Sequence, residues 1–98
     1  MQNNDPAISV LVPCYNVEKY VEECIGSILA QSFEDYEIIC INDGSTDSTP
    51  EILHAYADKD LRVRVIDKPN SGYGASMNRG LDEARGQYIA ILESDDFM

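Results

Sequence analysis

Two stretches of this chain, Ile8–Val12 and Ile38–Ile41, are apolar or nearly so without a break. An extended strand turns successive side chains to opposite faces, so an unbroken apolar run marks a strand covered on both sides. Segments of helical period lie between and beyond them. In VEKYVEECIGSILAQS, Val21, Cys24, Ile25, Ile28 and Leu29 fall on one stripe, with Asn16 as the expected N-cap. In STDSTPEILHAYADKD, Ile52, Leu53, Tyr56 and Ala57 make an inner face, Ser48 with Glu51 fits a capping box, and Pro50 falls in the first turn. Arg62–Asp67 alternates Arg and Val, which predicts a third strand at a sheet edge. KPNSGYG reads as a loop. ASMNRGLDEARG reads as a third helix, with Met77, Leu81 and Ala84 on one face and Gly86 at the C-cap. QYIAIL is a fourth strand. The order βαβαβαβ predicts a three-layer α/β/α fold on a mainly parallel sheet. Ile8–Val12, ended by Pro13, is expected at the centre of that sheet.

Composition narrows the class of partner. The chain has 98 residues, enough for one small domain or part of a larger one. An apolar share of 44% and a charged share of 26% are those of a globular protein rather than a disordered one. The opening MQNNDPA has no signal-peptide core, and no apolar run approaches the ~20 residues of a membrane helix. Both point to the cytoplasm, with the inner face of a membrane as the alternative for a longer protein. Asp and Glu outnumber Lys and Arg by 18 to 7, a net charge of −11. That field opposes nucleic acid, and a phosphate-bearing small molecule would need a metal ion or a local basic residue beside it. Cys14, Cys24 and Cys40 lie among apolar residues without a C-x-x-C pair and read as buried reduced thiols. His54 is the single histidine, which argues against His-dependent triads and His-based zinc sites.

Ligands of parallel sheets bind beyond the carboxyl ends of the strands. Here those ends read PCYN, NDGST, DKPNSGYG and ESDDF, the most polar stretches of the chain. In ESDDF, Glu93 and Asp95 fall on one side of an extended chain and Asp96 on the other. Two same-side carboxylates at a strand end make a hard-oxygen site for Mn2+ or Mg2+; the alternative is a solvated acidic turn. Asp43 follows the second strand, where it can face the crevice, and Gly44 allows a tight turn. Tyr15 offers an aromatic face for a base, or packing. The glycines of SGYGASMNRG form neither a dinucleotide fingerprint nor a P-loop, which agrees with a metal carrying the phosphates. Lys68 and Arg79 are the nearby cations, read either as ligand contacts or as surface charge.

Taken together, ISVLVPCYN, EIICINDGSTDST and NSGYGASMNRGLDEARGQYIAILESDD resemble the N-terminal half of family 2 glycosyltransferases of GT-A fold. The resemblance runs from about Ile8 to Phe97. It implies a nucleotide-sugar donor site, with Tyr15 against the nucleoside, Asp43 on the base, commonly uracil, and the D-x-D acid Asp95 on a metal bound to the diphosphate. It implies that Pro13, Glu93 and Asp96 line the same crevice and that Asn78 follows the donor loop. Lys68 is counted with this nucleotide-binding set, and Asp96 with the metal set. Two positions depart from the family's usual pattern: Glu93 stands where Asp is usual, and Met77 where Arg often precedes the Asn.

The resemblance implies an inverting, metal-dependent transfer from a UDP-sugar to a saccharide or lipid-linked acceptor hydroxyl. Residues 1–98 are expected to be the donor-binding part of a longer domain, with the acceptor half and the catalytic base beyond Met98. The rival readings are a sugar nucleotidyltransferase and a non-catalytic nucleotide-sugar-binding fragment. The fourth strand is expected to form an exposed edge through which the chain self-associates.

Overall fold

The structure is a computed structural model that describes residues 5–32 and 35–93. Seven elements alternate without exception: β1 (Ile8–Cys14), α1 (Val21–Leu29), β2 (Tyr36–Asp43), α2 (Thr49–Lys59), β3 (Val63–Lys68), α3 (Tyr73–Glu83) and β4 (Tyr88–Ile91). The four strands are parallel and lie in the order β3-β2-β1-β4. β1 is therefore central and β3 an edge, as their sequence patterns predict. Alternation along β1 and β2 divides the core. Val12, Cys14, Ile38 and Cys40 face the α1/α2 layer with Val21, Cys24, Ile25 and Leu53, whereas Leu11, Ile39 and Ile41 face α3 and Met77. Side chains such as Leu53, fully buried here, each contribute about 1.5–3 kcal/mol of transfer free energy.

Pro13 does not end β1. The strand stays in register through Pro13↔Ile41 and Cys14↔Asn42. The reason is directional: the carbonyls of Ala7 and Leu11 accept from Tyr88 and Leu92 of the β4 side, so odd-numbered residues of β1 turn their backbone polar groups away from β2. The N–H that proline lacks belongs to that side and costs the β1–β2 ladder nothing.

Helix ends differ from the sequence expectations in three places. Asn16 is not the N-cap of α1; it sits at φ 52, four residues before the capping residue Tyr20. Ser48 occupies the N-cap of α2 but makes no side-chain cap bond. Its own amide donates to Glu18 Oε1 at 2.7 Å, and Asp47 Oδ1 accepts the Thr49 amide at 2.9 Å in place of the capping box. α3 starts at Tyr73, inside the expected loop, and its cap is Ala84. Its buried face is Ser76, Met77 and Gly80, while Leu81 is half exposed. Gly86 serves a close approach instead, because a Cβ there would lie 2.6 Å from the Ser9 nitrogen.

A polar network pins the amino end of the sheet to the end of α3. Buried Glu37 accepts from Ser9 Oγ at 2.6 Å, the Arg85 amide at 2.8 Å and Arg64 Nη1 at 2.9 Å. Burial alone would raise the Glu37 pKa, but these donors outweigh it and hold the carboxyl below its ordinary value. Cys14, Cys24 and Cys40 are buried thiols outside any disulfide among the described residues, as expected; burial pushes the Cys24 thiol up to about 11 and the Cys40 thiol well above its ordinary value. Among the described residues no helix is long and apolar enough to cross a membrane.

Candidate functional site

Strand order reverses between β1 and β4, and a pocket of about 340 Å³ opens there, at the carboxyl ends of the strands on the α3 side. That volume lies at the small end of the ~300–1,000 Å³ range of small-molecule sites. Pro13, Cys14 and Tyr15 come from the end of β1, Asp43 from the end of β2, Asn70 and Gly72 from the β3–α3 loop, Tyr73 and Ser76 from α3, and Glu93 from beyond β4.

Asp43 is 6% exposed and is the most heavily hydrogen-bonded acid of the pocket. Lys68 Nζ lies 2.5 Å from its Oδ1, the Ser71 amide donates to the same oxygen at 2.8 Å, and the Gly72 amide donates to Oδ2 at 3.0 Å. Asn70 Nδ2 adds a bond to the Asp43 carbonyl at 3.0 Å. Burial opposes ionisation, yet the lysine and the two amides prevail and keep the carboxyl below its ordinary value. The close approach of the two loops depends on Gly44, which has φ +72 and where a Cβ would lie 2.5 Å from the Asn70 nitrogen.

Tyr15 stands half exposed at the wall, on a loop laced to its neighbour. The Asn16 amide donates to Ser45 Oγ at 3.0 Å, and Asn16 Oδ1 accepts the Thr46 amide at 2.7 Å. The Val17 amide donates to the buried Thr49 hydroxyl at 3.0 Å, and the Glu18 amide to Asp47 Oδ2 at 3.2 Å. The Asp47 carboxyl is thereby held below its ordinary value: burial raises it, and the Thr49 hydroxyl and the neighbouring amides more than compensate. Asn16 therefore fixes the position of Tyr15 rather than starting a helix.

The structure thus brings Pro13, Tyr15, Asp43 and Glu93 to one pocket. Lys68 is near but committed: its three ammonium hydrogens have acceptors in Asp43 Oδ1, the Pro69 carbonyl at 3.0 Å and Ser71 Oγ. Asn78 is exposed, because two residues past Ser76 a helix has turned most of the way to its opposite face. Asp95 and Asp96 lie outside the described residues. Among the described residues, no three His, Cys, Asp or Glu side chains converge to hold an ion. Glu93, the described member of the acidic cluster, offers hard oxygen donors at the pocket and so fits a divalent cation in chemistry.

Sequence reasoning missed Tyr73, Ser76, Asn70 and Gly72. Tyr73 and Glu93 both line the pocket, and the nearby Glu93 carboxylate, with some burial, raises the tyrosine pKa above its ordinary value. Ser76 Oγ is buried in the wall and finds no hydrogen-bond partner among the described residues. The pair Ser71–Gly72 carried a usable signal: a glycine just before a helix, here at φ +100, can turn consecutive amides toward one carboxylate.

Comparison with known proteins follows the same lines. The sequence profile of glycosyl transferase family 2 matches residues 9–98. The uncharacterized glycosyltransferase EpsJ of Bacillus subtilis is 46% identical over 93 residues, which cover 95% of this chain and 27% of EpsJ. The crystal structure of Staphylococcus aureus TarS 1–349 in complex with UDP-GlcNAc superposes with a TM-score of 0.84 at 37% identity, covering 92% of this chain and 27% of that one. The mannosyltransferase PcManGT of Pyrobaculum calidifontis, in complex with GDP-Man and Mn2+, superposes with a TM-score of 0.79 at 25% identity, covering 93% and 28%. The chain thus spans about a quarter of each of these proteins, and its fold is that of the GT-A glycosyltransferases.

Proposed function

This chain belongs to glycosyl transferase family 2, and on that premise we propose that residues 1–98 are the N-terminal, donor-binding part of an inverting, metal-dependent enzyme that uses a UDP-sugar. The observation that carries the reading is the Asp43 carboxylate, held by Lys68 and two amides in the wall of the pocket that Tyr15 also lines. Asp43 accepts the N3–H of uracil, and Tyr15 covers the ring while Pro13 closes the wall beside it. Glu93 meets the ribose or the diphosphate at the mouth. Asp95 and Asp96 are assigned to Mn2+ or Mg2+. When bound, the ion would neutralise charge gathering on the departing UDP. The TarS and PcManGT complexes, with UDP-GlcNAc and with GDP-Man and Mn2+, support a nucleotide-sugar and a divalent ion as ligands of this fold.

In the reaction proposed for the longer protein, an acceptor hydroxyl of a saccharide or a lipid-linked sugar attacks the anomeric carbon from the face opposite UDP. The new C–O bond forms as the bond to the β-phosphate oxygen breaks, and its electron pair leaves on UDP. The hydroxyl proton passes to a base outside residues 1–98. The short reach of this chain along its relatives, 27% of EpsJ, is consistent with an acceptor half elsewhere in the protein.

Calorimetric titration with UDP, with and without Mn2+, tests the assignment. The chain is expected to bind UDP more tightly with the ion than without it. Asp43→Asn is expected to lose on the order of 1.5–3 kcal/mol of binding, the typical contribution of a hydrogen bond to a charged group. A folded Asp43→Asn chain that binds UDP as the parent does overturns the base assignment. UDP affinity indifferent to Mn2+ removes the metal from the reading.

A further inference from the structure

Resting on the reading that a nucleotide base meets Asp43, we infer that Lys68 determines which base is admitted, by filling an acceptor position of Asp43 rather than by touching the ligand. A carboxylate offers about four lone-pair positions, two on each oxygen. Lys68 Nζ and the Ser71 amide both fall on Oδ1, and the Gly72 amide falls on Oδ2. Among the described residues one position therefore remains, on Oδ2. The lysine is well fixed for this task. Its side chain is 10% exposed, and its other hydrogens are held by the Pro69 carbonyl and Ser71 Oγ.

One open position suits one kind of base edge. Uracil presents a single ring N–H between two carbonyls, and a single acceptor satisfies it. Guanine presents two neighbouring donors, N1–H and the exocyclic amine, which a carboxylate meets best with both oxygens; with Oδ1 filled, one guanine N–H would be buried unpaired. Cytosine and adenine present an unprotonated ring nitrogen, so an acceptor would face an acceptor. The fold does not decide the matter, since PcManGT shares it and was solved with GDP-Man. The selection lies in the acceptor count at Asp43, and Lys68 is the side-chain contributor to that count.

Titration of the 98-residue chain with UDP, GDP and CDP in Mn2+ buffer, alongside Lys68→Met and Lys68→Arg, tests this. The parent chain is expected to prefer UDP over GDP by about tenfold or more, the factor that one hydrogen bond of ordinary strength represents. Lys68→Met reopens Oδ1 and is expected to narrow the UDP-to-GDP ratio several-fold. Lys68→Arg keeps a donor there and is expected to restore it. A parent chain that binds both nucleotides equally, or a folded Lys68→Met chain with an unchanged ratio, overturns the inference while leaving the nucleotide site standing. Failure of the parent chain to bind any of the three nucleotides overturns the site reading and this inference with it. Should Lys68→Met not fold, the parent ratio and the Lys68→Arg ratio still decide, equal affinities in either one refuting the role.

Discussion

Ser76 Oγ is the buried side-chain polar atom that finds no hydrogen-bond partner among the described residues. Leaving such a group unmet costs about 1–3 kcal/mol, so Ser76→Ala is expected to stabilise the ligand-free chain by about 1 kcal/mol. For a domain of this size that raises the melting temperature by roughly 4–8 °C. A scanning calorimetry trace in which the variant melts lower would show that the hydroxyl has a partner in solution. At this scale the legible residues were those at strand ends. Pro13, Tyr15, Asp43 and Glu93 could be placed because a parallel sheet brings the carboxyl ends of its strands together wherever the strands are found. Ser76 and Tyr73 could not, because their direction depends on where α3 begins. The commitment of Lys68 to Asp43 depends on a contact between residues 25 apart in sequence, and no local pattern announces it.

At the scale of elements, all seven were legible from period and alternation, and the errors gathered at their ends. Capping chemistry looked local in the sequence, but Asn16, Ser48 and Gly86 are claimed by partners about 30 residues away or more. Gly86 shows how strict such a claim is. The atoms that a Cβ would meet at 2.6 and 2.7 Å, the Ser9 nitrogen and the Ile8 carbonyl carbon, belong to backbone and cannot rotate aside. Gly86→Ala is therefore expected to destabilise the chain by roughly 1–3 kcal/mol, the usual cost of overpacking. The loss should include the Gly86 amide bond to Ser9 Oγ, 2.8 Å in the parent. Urea denaturation measures it; a midpoint unchanged by the methyl group would mean that β1 and the α3–β4 connection are not held this tightly.

For the whole molecule, the two ends of the sheet carry different burdens. The amino end is tied down by the Glu37 network, and the carboxyl end opens into the pocket. The sides also differ. β3 closes one edge with polar Arg64 and Lys68, both ion-paired. β4 leaves Tyr88, Ile89 and Ile91 at 68, 41 and 51% exposure. Among the described residues β4 pairs with β1 alone, and an apolar strand with one side of its ladder unmet recruits another strand, so the 98-residue chain is expected to self-associate through β4 despite its charge of −11. Light scattering across a concentration series decides this. A chain that stays monomeric at high concentration refutes it, and Ile89→Lys is expected to reduce the association if β4 is the contact.

The position of Pro13 has a consequence for the ladder between β1 and β4. A parallel ladder would aim the amide of residue 13 at the Leu92 carbonyl, one rung past the bond from the Leu92 amide to Leu11. Proline has no hydrogen to place there. The ladder between β1 and β4 therefore misses that one bond at the strand ends, just where Pro13 and Glu93 enter the lining of the pocket.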